Sequence, residues 1–345
     1  MNFLGTKEKF ETAVGRRKTN TTKAFVVLAA ICALALGGEW FARSVLGLGD
    51  PPLSITHPRI EYMYAPNQDV LRFGKRFLIN GYGMRSAPFA VRKGPDELRV
   101  LVFGDSVVNG GNLSDHDDLA TTLLTYDLLP VAGGKKVVVG NVSAGSWGPG
   151  NWLAYSQTYG FFDADVVVLV ASSHDVGDNP TFAPLDPNTH PTKKPLLALT
   201  EGMTRYLPRY LPAFLRGQPA PEGGATQASP TITDRNRAQG LDDLRTFLLA
   251  ARDSGAAVLV VQWPEREEVA AGVPEDGFAD LTGLARELGM KNIVAAPSVA
   301  AALDQGHSVY RDNIHPNDEG QKVLADLLRR ELEPLIRGTK KPVEP

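Results

Sequence analysis

The chain has 345 residues, 43% of them hydrophobic, and a formal net charge of −3. This length allows one large domain or two small ones with a sizeable core, and the weak charge argues against nucleic acid as the main partner. The single cysteine, Cys32, excludes an internal disulfide and any zinc site built on several cysteines.

The N-terminal segment combines a basic tail with an apolar stretch. Residues 1–23 carry six Lys and Arg residues against two Glu, and an uncharged run rich in Ala, Leu and Val extends from Ala24 to Gly38. Because basic residues mark the cytoplasmic flank of a membrane span, we predict a cytoplasmic tail at 1–23 and a transmembrane anchor at 24–48. The expected location is the inner membrane, crossed once, with the remaining chain periplasmic or otherwise extracytoplasmic.

Two other interpretations of the apolar stretch stay open. It is shorter than the roughly 20 residues of an ideal span, so it also fits the core of a cleaved signal peptide, with a cleavage site at Ala33-Leu34-Ala35. A buried helix of a soluble domain is the third interpretation. Both membrane-directed interpretations place the rest of the chain outside the cytoplasm.

A segment rich in proline and aromatic residues follows the apolar stretch. Gly49-Asp50-Pro51-Pro52 is expected to end the anchor helix. Two short runs, Arg72–Phe73 and Arg76–Ile79, are separated by Gly74 and predict a β-hairpin. We assign residues 49–97 to a small β collar that packs on the main domain.

Apolar runs and helical segments alternate over residues 98–338. The predicted strands are Arg99–Phe103, Lys136–Gly140, Asp165–Ala171, Ala257–Gln262 and Asn292–Val294. The predicted helices are Leu119–Leu129, Asn151–Phe161, Asp234–Ser254, Phe278–Leu288 and a last one that Pro316 opens and that runs to about Arg337. Residues 181–232 interrupt this pattern with proline-rich loops, a helix near Leu196–Leu207 and a flexible stretch at Gly217–Ser229.

Repeated strand and helix units of this kind predict an α/β fold. Short, unalternating apolar runs are typical of parallel strands buried on both faces. We therefore expect a three-layer α/β/α sandwich with a parallel, flavodoxin-like sheet. Ligands in such sheets bind beyond the carboxyl ends of the strands.

Ser106 follows the first predicted strand, in the sequence Gly104-Asp105-Ser106. A serine at this point can act as a nucleophile. The start of the next helix presents free N–H groups, which can stabilise the oxyanion that forms when the serine attacks. The alternative is a serine that only caps the helix.

Asp312 and His315 precede the last helix and supply the remaining parts of a catalytic triad. His315 is the candidate general base for Ser106, and Asp312 can orient the imidazole ring. A capped turn with a surface histidine is the alternative. A metal site is less favoured, because no second cluster of ligands has the required spacing. GxSxG, P-loop and GxGxxG motifs are absent from the sequence.

These motifs resemble the SGNH (GDSL-type) hydrolase family over roughly residues 98–335. The four blocks occur in the family's order, as Gly104-Asp105-Ser106-Val107, a segment from Asn141 to Gly148, Ser172-Ser173-His174-Asp175, and Asp312-Asn313-Ile314-His315. The resemblance implies that Ser106 is the nucleophile and that Asp312 and His315 complete the triad.

The two middle blocks depart from the family's pattern. Ser146 stands where the second block offers a glycine N–H to the oxyanion, and a backbone donor survives this change if the backbone angles allow it. His174 stands where the third block has its oxyanion asparagine, and a neutral imidazole still has one N–H to donate. The resemblance thus predicts an oxyanion hole formed by Ser106, Ser146 and His174. A binding role for His174, or a weakened enzyme, is the alternative.

Candidate substrate-binding residues lie close to these blocks. Asn109 follows the nucleophile, Trp147 lies near the end of the second block, and Trp152 follows that block. Asn109 and Trp147 are the expected substrate contacts. Shaping of the loop by Asn109 and helix packing by the tryptophans are the alternatives.

The resemblance implies a serine-dependent esterase or O-acyltransferase that acts on acyl esters, most simply acetyl esters. SGNH proteins that add or remove acetyl groups on exported polysaccharides make a glycan substrate the expectation, and a transferase would need a membrane protein that delivers acyl groups. The alternative is a catalytically weakened subunit that binds glycans or acts as a scaffold in an export complex. We expect no cofactor, no metal and no nucleic-acid partner.

Overall fold

The structure is a computed structural model that describes residues 4–207 and 233–338, with the side chains of 22–207 and 233–337. The predicted flexible stretch Gly217–Ser229 lies outside the described residues.

The first element is a long helix, α1 (Leu4–Ser44). Its part Thr22–Ser44 has 23 residues, and the most apolar 18-residue stretch of this part has a mean hydropathy of 2.0 and no residue buried against the rest of the protein. By length and composition, this part can cross a membrane. The helix also takes in the described part of the predicted basic tail, and it ends before the predicted end of the anchor at residue 48.

Two antiparallel hairpins form the collar. The first pairs β1 (Ser54–His57) with β2 (Glu61–Tyr64), and the second pairs β3 (Gln68–Arg72) with β4 (Lys75–Ile79). The second hairpin is the predicted one. Its two turn residues have φ values of 49° and 76°, and this left-handed pair fits the tight turn of a twisted hairpin. The sequence pattern does not predict the first hairpin.

Five parallel strands form the sheet of the main domain. They are β5 (Glu97–Gly104), β6 (Lys136–Ser143), β7 (Val166–Ala171), β8 (Ala257–Gln262) and β9 (Lys291–Val294). Their order is β6-β5-β7-β8-β9, which confirms the flavodoxin-like prediction. Every residue of β5 and β7 is buried, as expected for central strands that helices cover on both faces.

Nine further helices are described after α1. They are α2 (Ser106–Asn109), α3 (Ala120–Asp127), α4 (Pro149–Tyr159), α5 (Ala198–Glu201), α6 (Asp234–Asp253), α7 (Arg266–Ala271), α8 (Asp276–Glu287), α9 (Ala296–Asp304) and α10 (Asp318–Gly338). Alternate residues of β5 point to opposite layers: Val100 and Val102 pack with α3, α9 and α10, whereas Leu101 and Phe103 pack with α4, α6 and α8. The domain is therefore the predicted three-layer sandwich.

The structure corrects several predicted boundaries. Pro316 does not open the last helix, because it pairs with Tyr310 in an isolated β-bridge and α10 begins only at Asp318. The helix predicted near Leu196–Leu207 consists of α5 and a π-helical turn at Gly202–Tyr206. The short helices α7 and α9 have no counterpart among the predicted elements.

Candidate active site

Ser106 lies at the point where β5 ends and α2 begins. Asp105 caps α2, and its Oδ1 accepts a hydrogen bond from the backbone N–H of Val107 at 2.9 Å. A Cβ atom on Gly104 would lie 2.3 Å from Cγ2 of Val108, so this close approach requires glycine. The sequence thus forces a sharp turn that presents Ser106 at the carboxyl edge of the sheet.

His315 and Asp312 lie far from Ser106 in sequence but contact it in the fold. Nε2 of His315 lies 2.9 Å from Oγ of Ser106, and Nδ1 lies 2.6 Å from Oδ2 of Asp312. Oδ1 of Asp312 accepts the backbone N–H groups of Ile314 and His315 at 3.0 and 2.8 Å. The structure therefore brings the three predicted triad residues together in one hydrogen-bonded chain.

The charge of Asp312 selects the tautomer of His315. Partial burial opposes ionisation, but hydrogen bonds from the ring and backbone of His315 and from the backbone of Ile314 outweigh it and lower the pKa of Asp312 to about 2. The ionised carboxylate accepts the proton on Nδ1, so Nε2 keeps its lone pair toward the hydroxyl of Ser106. A second acceptor for this hydroxyl, Oδ2 of Asp105, lies farther away at 3.2 Å.

Three side chains that the sequence analysis misses hold the nucleophile turn in place. Arg85 is 1% exposed and donates to three carbonyl groups in and after α2. Gln321 on α10 donates to the carbonyl of Val107, and Arg311 donates to the carbonyl of Gly110, both at 2.9 Å. Arg311 adjoins the last motif and could have been considered. Arg85 and Gln321 belong to distant segments and give no local signal.

The two backbone donors predicted for the oxyanion hole lie on neighbouring strand ends. Gly104 on β5 is paired with Ser143 on β6, so the segment after β6 emerges beside the nucleophile turn. Ser146 has a φ of 56°, in the left-handed region that favours glycine. Within the described ranges, the N–H groups of Ser106 and Ser146 donate to no protein acceptor. Both groups are thus available to a ligand, and their role stays a prediction.

His174 lies between two carboxylates. Its Nε2 lies 3.3 Å from Oδ1 of Asp175, and its Nδ1 lies 3.3 Å from Oε1 of Glu265. Burial opposes protonation of the ring, but Asp175, Glu265 and Asp105 outweigh it and raise the pKa of His174 to about 10. Each ring nitrogen thus lies 3.3 Å from a carboxylate oxygen, and a donor role of His174 toward an oxyanion stays a prediction. Glu265 follows β8, and nothing in the sequence links it to the third block.

Two buried carboxyl groups near His174, those of Asp175 and Asp178, have raised pKa values. Burial raises the pKa of Asp175 well above its ordinary value, and the neighbouring Asp105 adds to this effect. Burial also raises the pKa of Asp178 to about 6. In the part of the chain that the structure describes, one group has the make-up of a metal site: ligand atoms of Asp105, His174 and Asp175 lie within 4.8 Å of one another. The absence of a metal remains a prediction.

The two predicted substrate-binding residues are buried. Asn109 is 1% exposed and accepts a hydrogen bond from the hydroxyl of Tyr64 at 3.2 Å. Trp147 is also 1% exposed and donates from its indole N–H to the carbonyl of Tyr62 at 3.0 Å. Trp152 is fully buried. Neither Asn109 nor Trp147 lines a surface, so both assignments are corrected: Asn109 ties the nucleophile loop to the collar, and the tryptophans pack in the core.

No family model and no curated protein sequence matches the chain. Similar solved structures include a member of the lipolytic G-D-S-L family from Veillonella parvula, with 12% identity, coverage of 68% of this chain and 97% of that chain, and a TM-score of 0.41. A catalytic mutant of an acetylxylan esterase from Geobacillus stearothermophilus has 12% identity, coverage of 68% and 94%, and a TM-score of 0.43. A lipase/acylhydrolase from Enterococcus faecalis has 14% identity, coverage of 72% and 100%, and a TM-score of 0.41. At these scores, the site's own geometry carries the proposals that follow.

Proposed function

We propose that the protein is a serine-dependent ester hydrolase or O-acyltransferase of the SGNH type. The observation that carries this proposal is the chain of hydrogen bonds from Asp312 through His315 to Oγ of Ser106, at 2.6 and 2.9 Å. A hydroxyl group is a weak nucleophile near neutral pH, and a correctly oriented imidazole with an ionised partner activates it. The four sequence blocks that resemble the SGNH family support the same reaction class.

The mechanism follows from these contacts. Nε2 of His315 takes the proton of Ser106 as Oγ attacks the ester carbonyl carbon. The backbone N–H groups of Ser106 and Ser146 receive the oxyanion of the tetrahedral intermediate. His315 then gives its proton to the leaving alcohol, and the acyl group stays on Oγ. An incoming hydroxyl, deprotonated by His315, reverses these steps and releases Ser106.

The incoming hydroxyl decides between the two activities. Water yields an esterase, and a sugar hydroxyl yields an O-acyltransferase. We propose acetyl esters of an exported polysaccharide as the substrate class, and a membrane protein as acyl donor for the transfer reaction. The basic tail before an apolar helix supports a single-pass inner-membrane protein with an extracytoplasmic active site.

A fluorophosphonate probe, which modifies activated serines, tests the reaction class. The full-length protein in detergent should be labelled, and Ser106→Ala and His315→Ala should abolish the labelling. Ser298→Ala, which changes a serine on α9, and His307→Ala are the matched controls and should label as the wild type does. A well-folded wild type that resists the probe would overturn the proposal.

The environment of His174 favours one second candidate. Without a side-chain donor at this position, the site keeps only backbone donors for the oxyanion, and loss of one donor can cost about 3 kcal/mol of transition-state stabilisation. A weakened enzyme of this kind could serve as a glycan-binding or scaffold subunit. Glycan binding by the Ser106→Ala variant, together with an unlabelled wild type, would favour this candidate.

A further inference from the structure

The end of α1 is fixed to the main domain through α5. The carboxylate of Glu39 accepts the backbone N–H groups of Ala198 and Leu199 at 2.8 and 3.0 Å, and it pairs with Arg43 at 2.6 Å. Arg43 also donates to the carbonyl of Leu196 at 2.6 Å. Because these bonds join side chains of α1 to the backbone at the start of α5, α5 lies beside the last turns of the apolar helix.

A buried polar network lies beneath this junction. Arg72 is buried and forms an ion pair with Glu201 at 2.6 Å. Glu201 also accepts the backbone N–H of Gly49 at 2.6 Å, and Arg72 donates to the hydroxyl of Tyr206 at 2.8 Å. Buried charges are tolerated when they are paired in this way. The junction is therefore built as a rigid unit.

Large apolar side chains project from the outside of the same unit. Leu196 is 89% exposed, Met203 57% and Leu207 47%. Val45 follows α1 directly and is 48% exposed, and Phe73 at the hairpin turn donates its backbone N–H to the carbonyl of Leu46 at 2.9 Å. Soluble surfaces rarely gather large apolar side chains in this way. We call these five residues, Val45, Phe73, Leu196, Met203 and Leu207, the apolar rim.

We infer that the apolar rim rests in the interfacial layer of the bilayer that α1 crosses, an inference that depends on the proposed membrane anchor. The 23-residue apolar part of α1 measures about 34 Å at 1.5 Å per residue, slightly more than a hydrocarbon core of about 30 Å. Its last turns, to which α5 is bonded, then lie at the boundary between the acyl chains and the head groups.

The polar groups near the last turns of α1 also suit a lipid surface. Glu39 is the acidic residue in the apolar part of α1, and its carboxylate accepts two backbone N–H groups and pairs with Arg43. Lys193 is exposed and lies three residues before Leu196, and the neighbouring Lys194 pairs with Asp50 at 2.6 Å. Basic residues next to apolar ones suit anionic lipid head groups. The chemistry therefore matches a lipid surface.

Spin labels can measure the depth of the rim in the bilayer. Cys32→Ser removes the single cysteine, and single cysteines are then introduced by Leu196→Cys and Met203→Cys. The full-length protein is placed in nanodiscs of phosphatidylcholine and phosphatidylglycerol. Leu34→Cys in the apolar helix serves as the lipid reference, and Val273→Cys in the exposed segment between α7 and α8 serves as the water reference.

The collision rates of the labels with oxygen and with a water-soluble nickel chelate decide the outcome. Labels at 196 and 203 should collide with the nickel chelate several-fold less often than the label at 273, while oxygen reaches them readily. Rates equal to those at 273, with position 34 in lipid, would overturn the inference and leave the anchor intact. Shielding from both reagents would indicate a protein partner and also overturn it. If position 34 itself is in water, the proposed anchor fails and the rim inference fails with it.

Discussion

Two histidines at the same edge of the sheet lie in opposite environments. His315 has a carboxylate on Nδ1 and a hydroxyl on Nε2. His174 has a carboxylate on each nitrogen, at 3.3 Å in both cases. A ring between an acid and a hydroxyl can gain and return a proton, because one nitrogen keeps a lone pair. A ring between two carboxylates is stabilised as a cation and gives up its proton reluctantly.

This comparison shows that the role of a histidine depends on the chemical group that contacts its second ring nitrogen. The first neighbour of each ring is close in sequence, since Asp312 precedes His315 by three residues and Asp175 directly follows His174. The second neighbour is distant, since Ser106 meets His315 and Glu265 meets His174 across the fold. We therefore propose catalysis as the role of His315 and a structural ion pair as the role of His174.

The largest expected effect comes from removing the catalytic pair. Ser106→Ala and His315→Ala should each lower the rate of acetyl-ester hydrolysis by about 10⁴-fold or more, because neither the nucleophile nor the base has a substitute. The double variant should be no worse than either single variant, since the two groups act as a unit. Steady-state hydrolysis of an acetyl ester measures this, with His307→Ala as the control. Additive losses in the double variant would show that the two residues do not form one unit.

Asp312→Asn removes the charge that fixes the tautomer of His315. The rate should fall between about 10²- and 10⁴-fold, while the affinity for substrate changes little, because the amide leaves the ring free to turn. The exposed Asp304→Asn on α9 is a matched control. An unchanged kcat would mean that the backbone alone orients His315.

His174→Gln tests the other histidine in stability as well as activity. Since the change removes the cation beside buried Asp175, it should lower the free energy of unfolding by about 1–3 kcal/mol and reduce kcat by less than about tenfold. Denaturant unfolding and ester hydrolysis measure the two effects. A rate loss above 10²-fold with normal stability would instead make His174 the oxyanion donor that the sequence suggests.

The charge of His174 also predicts a pH dependence of stability. Its pKa is raised to about 10 in the folded protein, above an unfolded value of about 6.5. The stabilisation from the charged ring is therefore complete below pH 6.5 and is lost as the pH rises toward 10. The difference in free energy of unfolding between the wild type and His174→Gln should shrink over this range. A constant difference would show that His174 is neutral in the folded protein.

The smallest effect is expected at Ser146. Ser146→Gly relieves a left-handed backbone conformation that costs a non-glycine residue about 1 kcal/mol. Activity should stay within about twofold of the wild type, because the proposed oxyanion donor is the backbone N–H. Thermal unfolding and ester hydrolysis test both expectations. A large loss of activity would assign a function to the hydroxyl group of Ser146.

The sequence predicts the sheet well because buried parallel strands have a simple apolar pattern. Val166–Ala171 and Ala257–Gln262 are strands with nearly the predicted bounds. The first collar hairpin has four-residue strands, which are too short for a periodic signal. Pro316 is misplaced because its pairing with Tyr310 depends on a fold-back of the chain that local pattern does not encode.

The triad could be predicted because its members belong to two compact motifs. The environment of His174 could not be predicted, because Glu265, which lies 3.3 Å from its ring, follows a different strand. Trp147 offers the same lesson: its pattern fits a sugar-binding surface or a packed helix equally, and only its burial decides. Roles that depend on one local turn are readable from sequence, and roles that depend on three-dimensional neighbours are not.

The hairpin of β3 and β4 contacts both the segment after α1 and the part of the main domain near the active site. Its turn is bonded to the segment after α1 through Phe73 and Leu46, and its second strand reaches the active-site side through Lys75 with Asp318 at 3.1 Å and Arg76 with Asp115. With α1 in a bilayer, these bonds hold the active site at a fixed distance from the membrane. Ser106 would then work at one set height above the membrane, and only ester groups that enter this thin layer would come within its reach.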